Sequence, residues 1–234
     1  MKPQEKNLNM DELNYIKVYD GFLPDETCNY LIKQYEYLLI EKEKQLQQNS
    51  LCFSPEGKKL CGACDCMRVD MMQHEIFEKS FQLIMQRFQL IIQQYKHDVK
   101  LNSMQWPNKH GFENLKLKRY LVDKNQQHAL HVDSSNWHTA KRFLAIICYL
   151  NDDFDEGETE FPIFDFKITP KKGRVVMFPP LWSYLHAGLP PKNGYAKYII
   201  GTHLNYLDMP MELRSGDVNK NSKLSAKIGN VKVL

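Results

Sequence analysis

Leu115-Lys116-Leu117-Lys118-Arg119-Tyr120-Leu121-Val122 alternates like a β-strand, and His131-Val132-Asp133 and the apolar run from Arg142 to Leu150 follow it. Side chains two apart on a strand share a face. His131 and Asp133 can therefore project into one cavity, with Val132 turned into the opposite wall. Two histidines and one carboxylate on one face leave open coordination positions on iron(II), so the third ligand is expected from a distant strand. His186 is the candidate, in Trp182-Ser183-Tyr184-Leu185-His186-Ala187-Gly188. It follows the strand-like Arg174-Val175-Val176-Met177-Phe178, which Gly173 precedes and Pro179-Pro180 ends. Lys197 then opens an apolar strand running to Leu204. A lone cation there calls for an anion. A dicarboxylate that chelates iron at one end would present its other carboxylate to this ammonium.

Around these residues the chain is rich in strands. Candidates are 115–122, 128–133, 142–150, 158–161, 164–169, 174–178, 184–187 and 197–204, with turn residues between them. Short strands at such spacing predict a sandwich or jelly roll. Upstream, Tyr15-Ile16-Lys17-Val18-Tyr19 reads as a short strand. Pro24, Asp25 and Glu26 suit the first turn of a helix whose apolar stripe is Cys28, Leu31, Ile32, Tyr35, Leu38 and Leu39. A second helix is expected over 73–96, burying Phe77, Phe81, Ile84, Phe88, Ile91 and Tyr95. Residues 47–73 and Trp106 to Gly111 read as loops. Within the first of these, Cys52, Cys61, Cys64 and Cys66 could supply four thiolates to a zinc ion, although their spacing is not that of a common zinc motif.

Composition narrows the classes further. With 43% hydrophobic and 12% aromatic residues in 234, the chain can bury one substantial core. The reading is a single catalytic domain: helical support and loop over 1–100, a strand core over 101–206 and a tail over 207–234. A net charge of +3 is too balanced to argue for nucleic acid. No apolar run reaches the roughly 20 residues of a membrane span, and Met1 to Asn7 lacks the apolar core of a secretory signal. A cytoplasmic protein with mostly reduced cysteines is expected; the oligomeric state is left open.

His131-x-Asp133, Arg142 through Asn151, Glu156-Gly157-Glu158-Thr159-Glu160-Phe161-Pro162, Pro170 through Arg174, His186 and Lys197 form an ordered series. Over roughly residues 115–206 this series resembles the prolyl 4-hydroxylase-like 2-oxoglutarate/iron(II) dioxygenases. The resemblance implies a mainly β fold, a double-stranded β-helix (jelly-roll) core flanked by N-terminal α-helices. It implies iron(II) on His131, Asp133 and His186, with 2-oxoglutarate and O2 as cosubstrates and ascorbate as a reductant. Lys197 would hold the distal carboxylate of 2-oxoglutarate, and Tyr120 and Tyr149 would donate to the same molecule. The reaction would hydroxylate an unactivated C–H bond with release of succinate and CO2. Halogenating relatives lack the carboxylate that Asp133 supplies, which favours hydroxylation here. Arg142 falls at a position near the substrate in several relatives, or else makes a salt bridge to an acidic loop such as Asp152-Asp153. Trp137, His138 and Trp182, in loops beside the ligands, are further candidates to line a substrate pocket. His128, Ala145 and His203 replace a common Tyr, Thr and Trp, and so bear on pocket size and polarity. The substrate class is a protein, a peptide or an amino-acid-like compound. A non-catalytic jelly-roll protein binding a metal or a small acid is the competing class.

Overall fold

The computed structural model describes residues 15–45 and 66–207. Thirteen strands and two long helices alternate along them: β1 (Lys17–Tyr19), α1 (Asp25–Gln45), β2 (Met67–Asp70), α2 (Glu78–Asp98), β3 (His110–Phe112), β4 (Lys116–Tyr120), β5 (His128–His131), β6 (Arg142–Tyr149), β7 (Phe154–Glu156), β8 (Thr159–Phe161), β9 (Phe166–Ile168), β10 (Val175–Phe178), β11 (His186–Gly188), β12 (Pro191–Gly194) and β13 (Lys197–Tyr206). The large sheet runs β1-β10-β6-β13-β4-β2, with β3 also paired to β13. A smaller sheet runs β5-β11-β8-β9, and β12 pairs with β7. The architecture is the mainly β jelly roll that the sequence predicts, with helices packed on one side.

Period-two patterning explains why the central strands read as continuous apolar runs: both faces of the large sheet are covered. Leu144, Ile146 and Cys148 of β6, Val175 and Met177 of β10, and Tyr198, Ile200 and Leu204 of β13 face one core, shared with the helices. Their alternates Ala145, Tyr149, Val176, Phe178 and Ile199 face a second core between the two sheets, with Phe161 and Ile168 of the smaller one. Helix α1 offers Cys28, Leu31, Tyr35 and Leu39 to the first core, and α2 offers Ile84, Phe88, Ile92 and Tyr95. Ile92 rather than Ile91 is the fully covered position, so the α2 stripe lies slightly rotated from the expected one. Phe88 stacks on Phe22 at 5.0 Å and on Phe112 at 5.4 Å, joining helix, N-terminal segment and sheet. Phe88→Ala should therefore cost about 3–5 kcal/mol of stability, measured by denaturant unfolding. A loss below about 1 kcal/mol would show that the helical layer does not unfold with the sheet.

Several elements differ from expectation. Residues 67–70, read as loop, form β2 at the edge of the large sheet, and His110-Gly111 open β3 rather than ending a loop. The β7/β12 pair was not foreseen either; it is short, and Asn193 and Gly194 take positive φ where its register shifts. Expected strand 184–187 begins as a 3-10 turn, Trp182–Tyr184, before β11. Gly173 meets a steric requirement: its φ is +72°, and a Cβ there would lie 2.3 Å from the Leu23 carbonyl oxygen. Of the zinc candidates, Cys52, Cys61 and Cys64 lie outside the described residues, and Cys66 is buried and disulfide-bonded rather than reduced. Cys28 and Cys148 are free and buried. Among the described residues, no helix is long and apolar enough to cross a membrane.

Candidate metal centre

The two paired strands β5 and β11 bring the distant histidines together, because His131 and His186 are direct register partners. Asp133 lies just beyond β5. The Nδ1 of His131 donates to the Ala129 carbonyl at 2.8 Å, and that of His186 donates to the Tyr184 carbonyl at 3.0 Å. Each bond fixes the tautomer, leaving both Nε2 lone pairs aimed at the same space. From there His131 Nε2 is 3.4 Å from Asp133 Oδ1, and His186 Nε2 is 3.6 Å from Asp133 Oδ2. One ligand atom from each of the three residues lies within 4.8 Å of the others.

The electrostatics prepare these groups for a cation. Burial pushes His186 down to about 4, so its imidazole is neutral at neutral pH. Burial alone would raise Asp133, but the imidazoles of His131, His203 and His186 around it hold its carboxyl well below the usual range. Buried polar atoms in folded proteins are nearly always partnered. His131 Nε2 is buried without a hydrogen bond. A metal ion would satisfy it, and two neutral nitrogens with one carboxylate are the donor set that non-haem iron(II) takes.

Behind the ligands a cavity of about 310 Å³ runs between the sheets. Lys197, only 2% exposed, enters it from the start of β13. Its Nζ donates to the carbonyls of Leu189 (2.6 Å) and Gly157 (3.0 Å) and lies 4.6 Å from the centre of the Tyr120 ring. Burial, opposed by Glu158 and reinforced by Lys118, lowers this ammonium to about 7. Tyr149 lines the same cavity and shares a 2.5 Å hydrogen bond with Thr159.

Residues 115–205 match the 2OG-Fe(II) oxygenase superfamily. That match spans the strand core and under half of the chain. A mimivirus (Acanthamoeba polyphaga mimivirus) protein named "Putative prolyl 4-hydroxylase" is 34% identical over 98 residues, 35% of this chain and 40% of that protein. The chain thus matches well under half the length of that relative. Among solved structures, the viral collagen prolyl hydroxylase of Paramecium bursaria Chlorella virus-1, as a 2OG complex, shares the fold (TM-score 0.59, 24% identity, 85% of this chain and 100% of that one). So does a Trichoplax adhaerens prolyl hydroxylase bound to a hypoxia inducible factor peptide (TM-score 0.62, 14% identity, 84% and 86%).

Within this strand core the structure gathers His131, Asp133, His186, Lys197, Tyr120, Tyr149 and Arg142 around one cavity. It does not gather Trp137, His138 or Trp182. The two tryptophans are 88% and 80% exposed, and none of the three lines the cavity. The physical reason for the first pair is a turn in which Asn136 Oδ1 accepts from the amides of His138 and Thr139, swinging 137–138 outward.

Arg142, on the cavity wall, is held in an ion pair. It grips Glu113 through Nε (2.8 Å) and a terminal nitrogen (2.9 Å), and its other terminal nitrogen donates to the Asp133 carbonyl at 2.8 Å. The acid is thus Glu113, not the expected Asp152-Asp153 loop. Glu113 also meets His203 Nδ1 at 3.1 Å, and His203 Nε2 lies 3.3 Å from Asp133 Oδ2. Burial would raise Glu113, yet His203 and Arg142 hold it at about 2. Sequence reading missed Glu113, since a lone acid between two strands carries no pattern of its own. His128 stacks on His131 with ring centres 3.7 Å apart, and burial drives it down to about 2.

Outer partners that orient a metal ligand typically matter by about 10–100-fold in affinity. His203→Phe should weaken Mn(II) binding by that factor, read by titration of the free-ion EPR signal. Unchanged affinity would show that the His203–Asp133 contact orients nothing.

Proposed function

We propose that the protein is a 2-oxoglutarate- and iron(II)-dependent dioxygenase that hydroxylates an unactivated C–H bond of a peptidyl (prolyl-type) or amino-acid-like substrate, releasing succinate and CO2. The observation that carries this reading is one cavity with a three-ligand open face at one place and a buried ammonium at another. Bound iron, with O2 and 2-oxoglutarate, supplies the oxidising power. The chain's own residues bind, orient and keep the site dry. His131, Asp133 and His186 hold the metal from one side. Lys197 pairs with the distal carboxylate, exchanging carbonyl contacts for a charged one. The Tyr149 hydroxyl, already partnered by Thr159, is available to the same ligand. Ile147 and Ile199 line the walls and limit water. A peptide substrate is supported by the relatives, which include a prolyl hydroxylase bound to a peptide.

The test is succinate formation from 2-oxoglutarate with iron(II) and ascorbate, followed by mass spectrometry of lysate peptides and metabolites for added oxygen. Succinate formation that depends on His186 supports the assignment. Metal and 2-oxoglutarate binding without any turnover would move the protein to the non-catalytic class.

A further inference from the structure

Two segments of main chain meet the Lys197 ammonium. One carries the Gly157 carbonyl, between β7 and β8, and the other carries the Leu189 carbonyl, between β11 and β12. The segments are fastened to each other on both sides of these carbonyls. Gly188 pairs with Thr159 on one side and Pro191 with Glu156 on the other, and between them the Leu189 amide donates to the Glu158 carbonyl at 2.8 Å. Neither carbonyl can drift independently of the other. The lysine stem is confined as well. Glu156 and Gly157 take φ of +56° and +74° in succession. Gly157 is buried, and a Cβ there would lie 3.3 Å from Lys197 Cδ and 2.7 Å from Phe154 Cε2. The Phe154 ring edge and the lysine stem thus share the space that a side chain at 157 would take. Lys197 lines the cavity and Gly157 does not. Gly157 therefore backs the stem from outside the cavity, and displacement away from it carries the ammonium inward.

A lysine on its flexible four-carbon stem ordinarily adapts its reach to its partner. Here the head can exchange a carbonyl for a carboxylate, but the stem is held between the bare α-carbon of Gly157 and the Tyr120 ring, 4.6 Å from Nζ. Its reach into the cavity is close to fixed. A dicarboxylate that meets a metal on His131, Asp133 and His186 must span the remaining distance with its own carbon chain. We infer that Gly157 is a specificity-determining residue that sets the length of that chain, so that the five-carbon 2-oxo acid is favoured over its four- and six-carbon homologues. This inference rests on the oxygenase reading proposed above. A methyl group at 157 would advance the ammonium into the cavity and shorten the span.

The experiment uses the full chain loaded with Mn(II), so that binding is read without turnover. Calorimetric titration compares oxaloacetate, 2-oxoglutarate and 2-oxoadipate. The parent should bind 2-oxoglutarate at least about tenfold more tightly than either homologue. Gly157→Ala should move the ratio of oxaloacetate to 2-oxoglutarate affinity at least about tenfold toward the shorter acid, with Mn(II) affinity unchanged. Gly21→Ala controls for a side chain at positive φ: Gly21 has φ +68°, and a Cβ there meets nothing within 4 Å. That variant should keep the parent's ratios. Phe154→Ala adds no backbone strain and opens space beside the stem, so it should move the preference the other way, toward 2-oxoadipate. Mn(II) titration of each variant serves as the folding control. Parental ratios in Gly157→Ala overturn the inference, as does a parent that does not distinguish the three lengths. Should Gly157→Ala fail to take up Mn(II), Phe154→Ala decides in its place, and parental ratios there overturn the inference. A parent that takes up Mn(II) but none of the three acids would instead overturn the oxygenase reading on which it rests.

Discussion

Asp133→Ala should remove turnover and weaken iron(II) binding far beyond the roughly 10–100-fold that loss of an outer hydrogen bond costs. The same is expected of His131→Ala and His186→Ala, with the fold retained in each. The carboxylate bridges the two imidazoles at 3.4 and 3.6 Å and is the sole anion among the three ligands. Its removal leaves two neutral nitrogens, which hold a divalent cation poorly. Far-UV circular dichroism and metal content after desalting separate the two effects. Iron retention together with continued 2-oxoglutarate decarboxylation in Asp133→Ala would show that the carboxylate ligand lies elsewhere.

Lys197→Ala should raise the 2-oxoglutarate requirement by roughly two to four orders of magnitude while leaving Mn(II) affinity nearly unchanged. Removing one partner of a buried charged pair costs about 3–5 kcal/mol, because the other charge is left unpaired. A lysine that merely reaches solvent would give a small effect, but Lys197 is buried. Nor can Arg174 or Lys192 take over. Arg174 is committed to Asp20 and the Thr169 carbonyl, and Lys192 pairs with Glu156 on the surface. Lys197→Arg should be milder than Ala without restoring the parent value.

The pH dependence has a definite sign. Lys197 without cosubstrate titrates near 7, with Tyr120, Glu158 and Lys118 around it. The carboxylate binds the protonated form, so binding must raise this pKa. Above about pH 7 the free protein has to take up a proton to bind, and affinity should fall by about tenfold per pH unit. Below that value the lysine contributes no slope. Isothermal titration at pH 6, 7, 8 and 9 in buffers of different ionisation enthalpy would measure the uptake directly. Affinity independent of pH across that range would mean that the ammonium is already stabilised before the cosubstrate arrives.

Much of this molecule can be read from the chain, for identifiable reasons. The candidate metal centre is legible because two of its residues are two positions apart and the third follows an apolar strand. The central strands are legible because both faces are buried, which makes β6, β10 and β13 long apolar runs. Strands of three or four residues such as β3, β7 and β12 bury too little to leave a pattern, and their pairing is a property of distant partners. Arg142 illustrates the harder case. Its cavity position was legible, but its partner Glu113 is 29 residues earlier in the chain and is found only through the register of β3, β6 and β13. Trp137 and Trp182 fail for the opposite reason: nearness in sequence to a ligand says nothing about which way a loop turns.

The two imidazoles of the candidate metal centre take their orientation from main-chain carbonyls two residues upstream, at Ala129 and Tyr184. A carbonyl is unaffected by the identity of the side chain beside it. Lys118, Ala145, Ile147 and Ile199 can therefore be exchanged without altering which nitrogen faces the metal. Under mutation, what the cavity accepts and what the metal does become separate heritable traits. A lineage could drift through many ligands, one wall residue at a time, while the three residues of the candidate metal centre keep their aim.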